Sequence, residues 1–163
     1  MGEEATQAAL QPPRQGERVL FYGIGNPGRQ DDALGVCFIE ELQKSATASK
    51  AEFDSNYQLN VEDALLISEY DVVVFVDASV EKGLQGPCKI SRVEPLDEVS
   101  FSSHEMSVGG VLGLCHQLYG RKPRTFLIAI PGFEWGLCEG LSEGARRNLA
   151  QALEQVSKWL GVL

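Results

Sequence analysis

The chain has 163 residues, of which 44% are hydrophobic and 23% charged, and its formal net charge is −9 at pH 7. This length suits one domain with a core that needs no disulfide or metal to hold it together. The acidic balance argues against a nucleic-acid partner, because binding a phosphate backbone needs clustered lysine and arginine, and no such cluster occurs.

The four cysteines, Cys37, Cys88, Cys115 and Cys138, form no Cys-x-x-Cys pair, and three of them lie in apolar segments. We interpret them as small hydrophobic residues in a reducing compartment. No apolar run reaches the length of a membrane span, and the N-terminus lacks a charged-then-apolar signal pattern. These features predict a cytoplasmic protein.

Residues 1–16 are rich in small and polar types, which predicts a disordered lead-in before a single domain over residues 17–163. Hydrophobic spacing then predicts, in chain order, a strand over 18–24, a helix over 32–44, a weaker strand over 52–59 and a short helix over 61–70.

The second half of the chain continues this alternation of strands and helices. Residues 71–77 form a continuous apolar run, which indicates a strand covered on both faces in the middle of a parallel sheet. Further on, the pattern predicts an antiparallel edge strand over 87–94, a helix over 104–119, a strand over 125–130 and an amphipathic helix over 142–160. The order predicts an α/β fold, a three-layer α/β/α sandwich whose five-stranded sheet is mostly parallel with one antiparallel strand.

A glycine-rich turn, GIGNPG at residues 23–28, joins the first strand to the first helix and matches the Gly-x-Gly-x-x-Gly pattern of dinucleotide sites. Three features count against such a site. Pro27 stiffens the turn, Asp31 and Asp32 place two carboxylates where an anionic ligand would bind, and residues 58–60 offer no acid for the ribose. A non-catalytic nucleotide-binding or chaperone-like module stays an alternative, which NAD or ATP binding without processing would favour.

The longer segment GIGNPGRQDDALG, residues 23–35, resembles the opening motif of the NiFe-hydrogenase maturation endopeptidases. That motif has a Gly-x-Gly-Asn turn, an aspartate followed by Asp or Glu, and a glycine early in the helix. The resemblance continues at Asp77, at His104 and more faintly at Pro131 and residues 140–142. It implies a hydrolase, an endopeptidase of aspartic type, which removes the C-terminal extension of the nickel-loaded hydrogenase large-subunit precursor.

In that family a carboxylate of the first motif, the strand-end aspartate and the helix-opening histidine bind the metal. The resemblance carries these catalytic and metal-binding roles to Asp32, Asp77 and His104. It assigns turn or substrate contacts to three neighbours, Gly25, Asn26 and Asp31. The chain departs from many relatives, which have glutamate at the position of Asp32 and Gly-Gly-Thr in place of residues 59–61.

The topology of the predicted fold also favours this grouping. In open α/β sheets, sites form beyond the carboxyl ends of the strands, where Asp32 and Asp77 both belong. If the strand over 87–94 is antiparallel, the helix after it starts near the same edge and brings His104 there. Two carboxylates and an imidazole can bind a first-row metal but do not separate nickel from zinc. His116 would stand roughly 18 Å further along the helix, on the surface.

Such a site has three protein ligands, and its carboxylates lie at helix N-termini, whose partial positive charge opposes a cation. We therefore expect it to hold free metal weakly and to recognise nickel in the substrate, with zinc or cadmium substituting in vitro. No nucleotide cofactor is expected.

Each of these residues also has a purely structural interpretation. Asp31 and Asp32 can cap a helix, and for Asp31 we prefer that interpretation. Asp77 can cap the turn after its strand. Ser102 and Glu105 form a Ser-x-x-Glu capping box, in which case the histidine between them is a solvated residue of the first turn.

Peptidyl-tRNA hydrolase is the main enzymatic alternative, because its opening also reads Gly-x-Gly-Asn-Pro-Gly. That family continues with a tyrosine and a Thr-Arg-His-Asn segment that carries its catalytic histidine, whereas residues 29–32 here read RQDD. The acidic balance also disfavours tRNA. Cys115 and His116 cannot form a nucleophile–base pair, because adjacent helical residues point in different directions, and neither Gly-x-Ser-x-Gly nor His-Glu-x-x-His occurs.

Overall fold

The structure is a computed structural model that describes residues 11–45, 47–97 and 106–161. Within these residues the strands are β1 Val19–Ile24, β2 Glu52–Asn56, β3 Val72–Ser79, β4 Lys89–Val93 and β5 Arg124–Pro131. The α-helices are α1 Leu34–Gln43, α2 Asp63–Ser68, α3 Val108–Tyr119 and α4 Glu143–Gly161, and the 3-10 helices are Gln30–Ala33 and Ala48–Lys50. The predicted lead-in falls mainly on residues 1–10, which lie outside this description.

The strands form one sheet in the order β2-β1-β3-β5-β4. The first four strands in this order run parallel, and β4 pairs antiparallel with β5. The predicted α/β architecture with one antiparallel edge strand is therefore confirmed. Within the described residues, each helix is too short or too polar to cross a membrane.

Two hydrophobic cores cover the faces of the sheet, and β3 contributes to both. Val72, Val74 and Val76 face α1 and α4, while Val73 and Phe75 face α2 and α3. All five are fully buried, which explains the unbroken apolar run that the sequence shows there. Burying each such side chain stabilises the fold by about 1.5 to 3 kcal/mol.

We expected the antiparallel strand to bring the next helix to the carboxyl edge. That expectation is wrong, because β4 runs away from this edge. Val93, the last residue of β4, pairs with Thr125 at the start of β5, so β4 ends at the opposite edge of the sheet. Residues 94–107 then separate β4 from α3. Because α3 ends at its cap Gly120, shortly before β5 begins, its first turn is directed toward the carboxyl edge.

The helix predicted to begin at residue 104 begins instead at Val108. Ser107 is its N-cap, and the Ser107 hydroxyl accepts a hydrogen bond of 3.0 Å from the backbone N–H of Gly110. The capping box of Ser102 and Glu105 lies outside the described residues.

The helix predicted over residues 32–44 is divided into a 3-10 helix, Gln30–Ala33, and α1. Gly35 lets α1 lie close to the sheet, because a Cβ there would collide with the backbone of Val76 and Ile24. This close approach holds the end of the 3-10 helix above the carboxyl ends of β1 and β3.

One polar pair is buried in the core on the α2 side. The hydroxyl of Tyr22 donates a hydrogen bond of 3.0 Å to Oδ1 of Asp63, and the N–H of Asn60 donates one of 2.7 Å to Oδ2. Burial and the charge of Asp63 raise the pKa of the Tyr22 phenol. Burial also raises the pKa of Asp63, although the hydrogen bonds from Asn60 and Tyr22 oppose that shift.

Replacing Tyr22 by phenylalanine should lower the free energy of unfolding by about 2 kcal/mol, because it leaves a buried carboxylate oxygen without its donor. Urea titration at pH 7 measures this loss. Tyr57→Phe is the matched control, since Tyr57 is 67% exposed, and it should change stability by less than about 0.5 kcal/mol. Equal effects of the two variants would show that the buried hydrogen bond contributes nothing.

Candidate active site at the carboxyl edge of the sheet

The turn after β1 is organised by hydrogen bonds from backbone amides to the side chains of Asn26 and Asp32. The side-chain Oδ1 of Asn26 accepts a bond of 2.9 Å from the N–H of Gly28, and the N–H of Asn26 donates one of 2.9 Å to Oδ2 of Asp32. Gly25 has φ +144°, and a Cβ there would collide with the carbonyl of Asp32. Gly25 and Asn26 thus shape the turn on which Asp32 rests.

Asp32 is half-buried in the 3-10 helix, beyond the end of β1. Its carboxylate occupies the turn amide of Asn26 at 2.9 Å, where a dinucleotide fold would offer its amides to a pyrophosphate. The negative charge already at this position disfavours a nucleotide phosphate.

Asp31 is fully buried, and its carboxylate accepts four hydrogen bonds from the chain beyond β5. Oδ2 accepts from the N–H of Phe133 at 2.7 Å, from the N–H of Glu134 at 3.0 Å and from the hydroxyl of Ser142 at 2.7 Å. Oδ1 accepts from the N–H of Ser142 at 2.7 Å. The expectation that Asp31 caps its own helix is wrong, because no side chain caps that helix and these distant donors engage the carboxylate instead.

The ionisation of Asp31 follows from this environment. Burial alone would raise its pKa, but the hydrogen bonds from Ser142, Glu134 and Phe133 outweigh burial and hold the pKa below its ordinary value. The hydroxyl of Ser142 also accepts a bond of 3.2 Å from the N–H of Ala145, in the first turn of α4. Asp31 therefore connects the turn after β1 to the start of the last helix.

Gln30 strengthens the same connection. Its N–H donates to the carbonyl of Cys138 at 2.8 Å, and its side-chain Oε1 accepts from the N–H of Gly136 at 2.6 Å. Its φ of +47° is in the left-handed region, which costs free energy for a residue other than glycine. These bonds to the loop after β5 hold that backbone conformation in place.

Asp77 lies on β3, the strand next to β1 in the sheet. Val76 is paired with Gly23, so Asp77 is one residue nearer to the carboxyl edge than that pair. Alternation along β3 directs it to the α2 and α3 side. It is half-buried, and its Oδ1 accepts a bond of 2.8 Å from the N–H of Ala78.

Two expectations about Asp77 need correction. The strand continues to Ser79, so Asp77 does not close it. Nor does it lie at a helix N-terminus, because the next regular element after β3 is the strand β4. The expected repulsion of a cation by a helix end therefore applies to Asp32, in the first turn of the 3-10 helix, and not to Asp77.

The third predicted ligand, His104, lies outside the described residues. Across residues 11–45, 47–97 and 106–161, no group of three His, Cys, Asp or Glu side chains is placed to hold a metal ion. The ligand set of Asp32, Asp77 and His104 thus stays a prediction, of which the structure brings two members to one edge. His116 is exposed in the last turn of α3, away from that edge, as expected.

Solved structures share this architecture over almost their whole length. A [NiFe] hydrogenase maturation protease, HycI from Thermococcus kodakarensis, is 26% identical, and the match covers 90% of this chain and 95% of that one with a TM-score of 0.70. A hydrogenase 2 maturation peptidase from a Thaumarchaeota archaeon is 25% identical over 90% of this chain and 100% of that one, with a TM-score of 0.67. In fold, and at this level of sequence identity, the chain is similar to hydrogenase maturation proteases.

A further similar structure, the hydrogenase maturating endopeptidase HybD from E. coli, has the same fold at 24% identity and a TM-score of 0.68, and the match covers 85% of this chain and 89% of that one. A scan against protein-family models finds no match, and a search of curated proteins finds none. The similarity to these proteases therefore rests on solved structures.

Sequence reasoning missed the contribution of the loop after β5 to this edge. The loop contains two aromatic residues, Phe133 and Trp135, among Gly132, Glu134 and Gly136. Aromatic side chains between glycines directly after a buried strand were a signal for a structured functional loop. The partners of that loop, Gln30 and Asp31, could not be read from it, because they lie over 100 residues away.

Replacing Asp31 by alanine should lower the free energy of unfolding at pH 7 by about 3 kcal/mol, because four donors lose a charged acceptor. Since the pKa of Asp31 is lowered by folding, its contribution is complete above the ordinary value of about 3.9 and is lost as the pH falls through the folded-state pKa. The difference between the two proteins should therefore shrink from pH 6 toward pH 2.

Urea unfolding across that pH range measures the effect. Asp97→Ala is the control, because Asp97 is exposed, and its stability difference from the wild type should stay within about 0.5 kcal/mol. A difference for Asp31→Ala that is small at pH 7, or that grows in acid, would contradict the assignment.

Proposed function

We propose that this protein is a cytoplasmic endopeptidase that removes the C-terminal extension of the nickel-loaded NiFe-hydrogenase large-subunit precursor. The observation that carries the proposal is the position of Asp32, beyond the end of β1, and of Asp77, near the end of the neighbouring strand β3, at the carboxyl edge of the sheet. The fold around them is that of a hydrogenase maturation protease.

Asp32, Asp77 and His104 engage the nickel that the precursor already holds, so that the metal enters as part of the substrate. Carboxylate oxygens and an imidazole nitrogen are suitable donors for such an ion. Holding the nickel fixes the C-terminal segment at the edge of the sheet, where water adds to the scissile carbonyl carbon and the C–N bond breaks to release the extension.

Selectivity follows from the shortage of ligands. Three donors from the protein leave the coordination of the ion to be completed by the precursor, so free metal is held weakly and metal in the correct substrate is held well. Zinc or cadmium supplied in excess occupies the same position. No nucleotide or nucleic acid takes part.

Two other functions use the same glycine turn. In a nucleotide-binding module the turn amides contact phosphate, but the Asp32 carboxylate accepts from Asn26 at 2.9 Å in that position. A peptidyl-tRNA hydrolase needs a histidine soon after the turn and a basic surface, and this chain has RQDD and a net charge of −9. Binding of NAD or ATP, or release of a peptidyl group from peptidyl-tRNA, would favour these functions.

The first test replaces the three proposed ligands one at a time by alanine. Asp32→Ala, Asp77→Ala and His104→Ala should each reduce processing of nickel-loaded precursor by at least about 100-fold, because each removes one of few donors. Mass spectrometry of the precursor, which detects loss of the extension, measures this.

The control for these variants is His116→Ala, which removes the other histidine of the chain and should process at the wild-type rate. Circular dichroism checks that each variant is folded. An inactive His116 variant together with an active His104 variant would mean that the site is wrongly assigned.

The second test compares three substrates with the same wild-type protein. Nickel-loaded precursor should be cut, whereas metal-free precursor and a synthetic peptide of the cleavage sequence should remain intact, since neither presents the ion that the site engages. Loading the metal-free precursor with nickel should restore cutting. Efficient cleavage of the isolated peptide without nickel would indicate an ordinary protease that uses other residues.

A further inference from the structure

A groove lies beyond the carboxyl ends of β3 and β5, next to the proposed site. It has a volume of about 440 Å³ and runs between residues 80–86, which follow β3, and residues 131–135, which follow β5. Asn148 of α4 also lines it and donates a hydrogen bond of 3.0 Å to the carbonyl of Pro131. Ser79 and Pro131 are the last residues of β3 and β5 and are paired in the sheet, so both walls start at the carboxyl edge.

One wall of the groove is aromatic and held firmly in place. The backbone N–H of Phe133 donates to the buried carboxylate of Asp31 at 2.7 Å. A Cβ on Gly144 would approach the Phe133 ring to 2.6 Å, and a Cβ on Gly132 would approach the Trp135 ring to 2.7 Å, so each ring rests against a glycine. Phe133 nevertheless remains 59% exposed, an arrangement that recurs in aromatic anchors of binding surfaces.

The opposite wall is open and combines apolar and charged residues. Val80 is 73% exposed, and Leu84 is half-buried beside it. Glu81 and Lys82 are the charged residues of the lining, so the groove has no net charge although the chain has a net charge of −9. Phe133 and Val80 therefore offer an exposed apolar contact within a lining that also carries polar groups, which suits a polypeptide with its apolar side chains and polar backbone.

We infer that this groove binds an extended segment of the substrate polypeptide, with an apolar side chain between Phe133 and Val80. This inference rests on the proposed function and deepens it. Val80 lies three residues after Asp77, and the groove begins where the paired residues Ser79 and Pro131 end their strands, so the groove and the proposed site share the carboxyl edge of the sheet. An open trough suits a crossing polypeptide, whereas a small molecule needs a pocket that buries most of its surface.

Asp31 has a defined part in this arrangement as a positioning residue. It does not reach the groove itself, but it fixes the backbone of Phe133 and of Glu134 by bonds of 2.7 Å and 3.0 Å. The two adjacent aspartates thus act on different parts of one substrate: Asp32 on the nickel-bearing part and Asp31, through Phe133, on the segment beside it.

The test measures KM and kcat for processing of nickel-loaded precursor. Phe133→Ala and Val80→Asp alter opposite walls, and Val80 is so exposed that its replacement leaves folding intact. Each should raise KM by about tenfold with kcat changed less than about threefold, because the lost contact is made equally in the bound substrate and in the transition state. Leu118→Asp is the matched control, since Leu118 is 57% exposed at the end of α3, and it should leave both constants unchanged.

A second measurement does not depend on cleavage. The chain has two tryptophans, so in Trp159→Phe the fluorescence of Trp135 reports on the groove alone. A synthetic peptide spanning the cleavage position should produce a saturable change, and adding Val80→Asp should weaken that binding by about tenfold.

The outcomes separate the two hypotheses. Absence of processing by the wild-type protein overturns the proposed function, and the peptide titration then decides whether the groove binds polypeptide at all. Normal processing with an unchanged KM in Phe133→Ala and Val80→Asp overturns the groove assignment and leaves the proposed function intact. A peptide titration without a saturable change also overturns it.

Discussion

The buried carboxylate of Asp31 holds together the two halves of the carboxyl edge. Phe133, Glu134 and Ser142 all donate to it from the loop after β5, whereas its backbone belongs to the turn after β1. A carboxylate in such a place has to stay ionised and fully bonded, because a buried charge without partners is very costly. Most of the irregular chain near the site therefore depends on one side chain.

The 3-10 helix gives the two adjacent aspartates different environments. With three residues per turn, neighbouring side chains point about 120° apart, so that one carboxylate can enter the core while the next stays at the edge. Asp31 is fully buried and Asp32 is half-buried. Asp31 thus supports the loop after β5, while Asp32 stays at the edge of the sheet, where the proposed site lies.

The sequence predicted the regular part of the fold well, because buried strands and amphipathic helices leave periodic patterns. The run at β3 and the spacing of Leu34, Phe38 and Leu42 in α1 are examples, and all of these residues are buried. The exact start of α3 could not be predicted, because a helix cap is a signal of only a few residues, and the helix begins after Ser107 rather than at residue 104.

Only part of the proposed site could be predicted from the sequence. Asp32 and Asp77 could be placed because the ends of neighbouring parallel strands must meet at one edge. The partners of Asp31 could not be inferred, because hydrogen bonds between residues 102 to 111 positions apart leave no local pattern. For the same reason, nothing in the sequence at Phe133 indicates what holds it.

The separation between Asp31 and Ser142 also has a consequence for biosynthesis. The turn after β1 emerges early from the ribosome, but the donors that complete it come from the last strand connection and the first turn of α4. Closing so long a loop requires the intervening sheet to be assembled first. A nascent chain therefore carries its acidic turn in an unfinished form, and the carboxyl edge takes its final shape only when translation of the domain is almost complete.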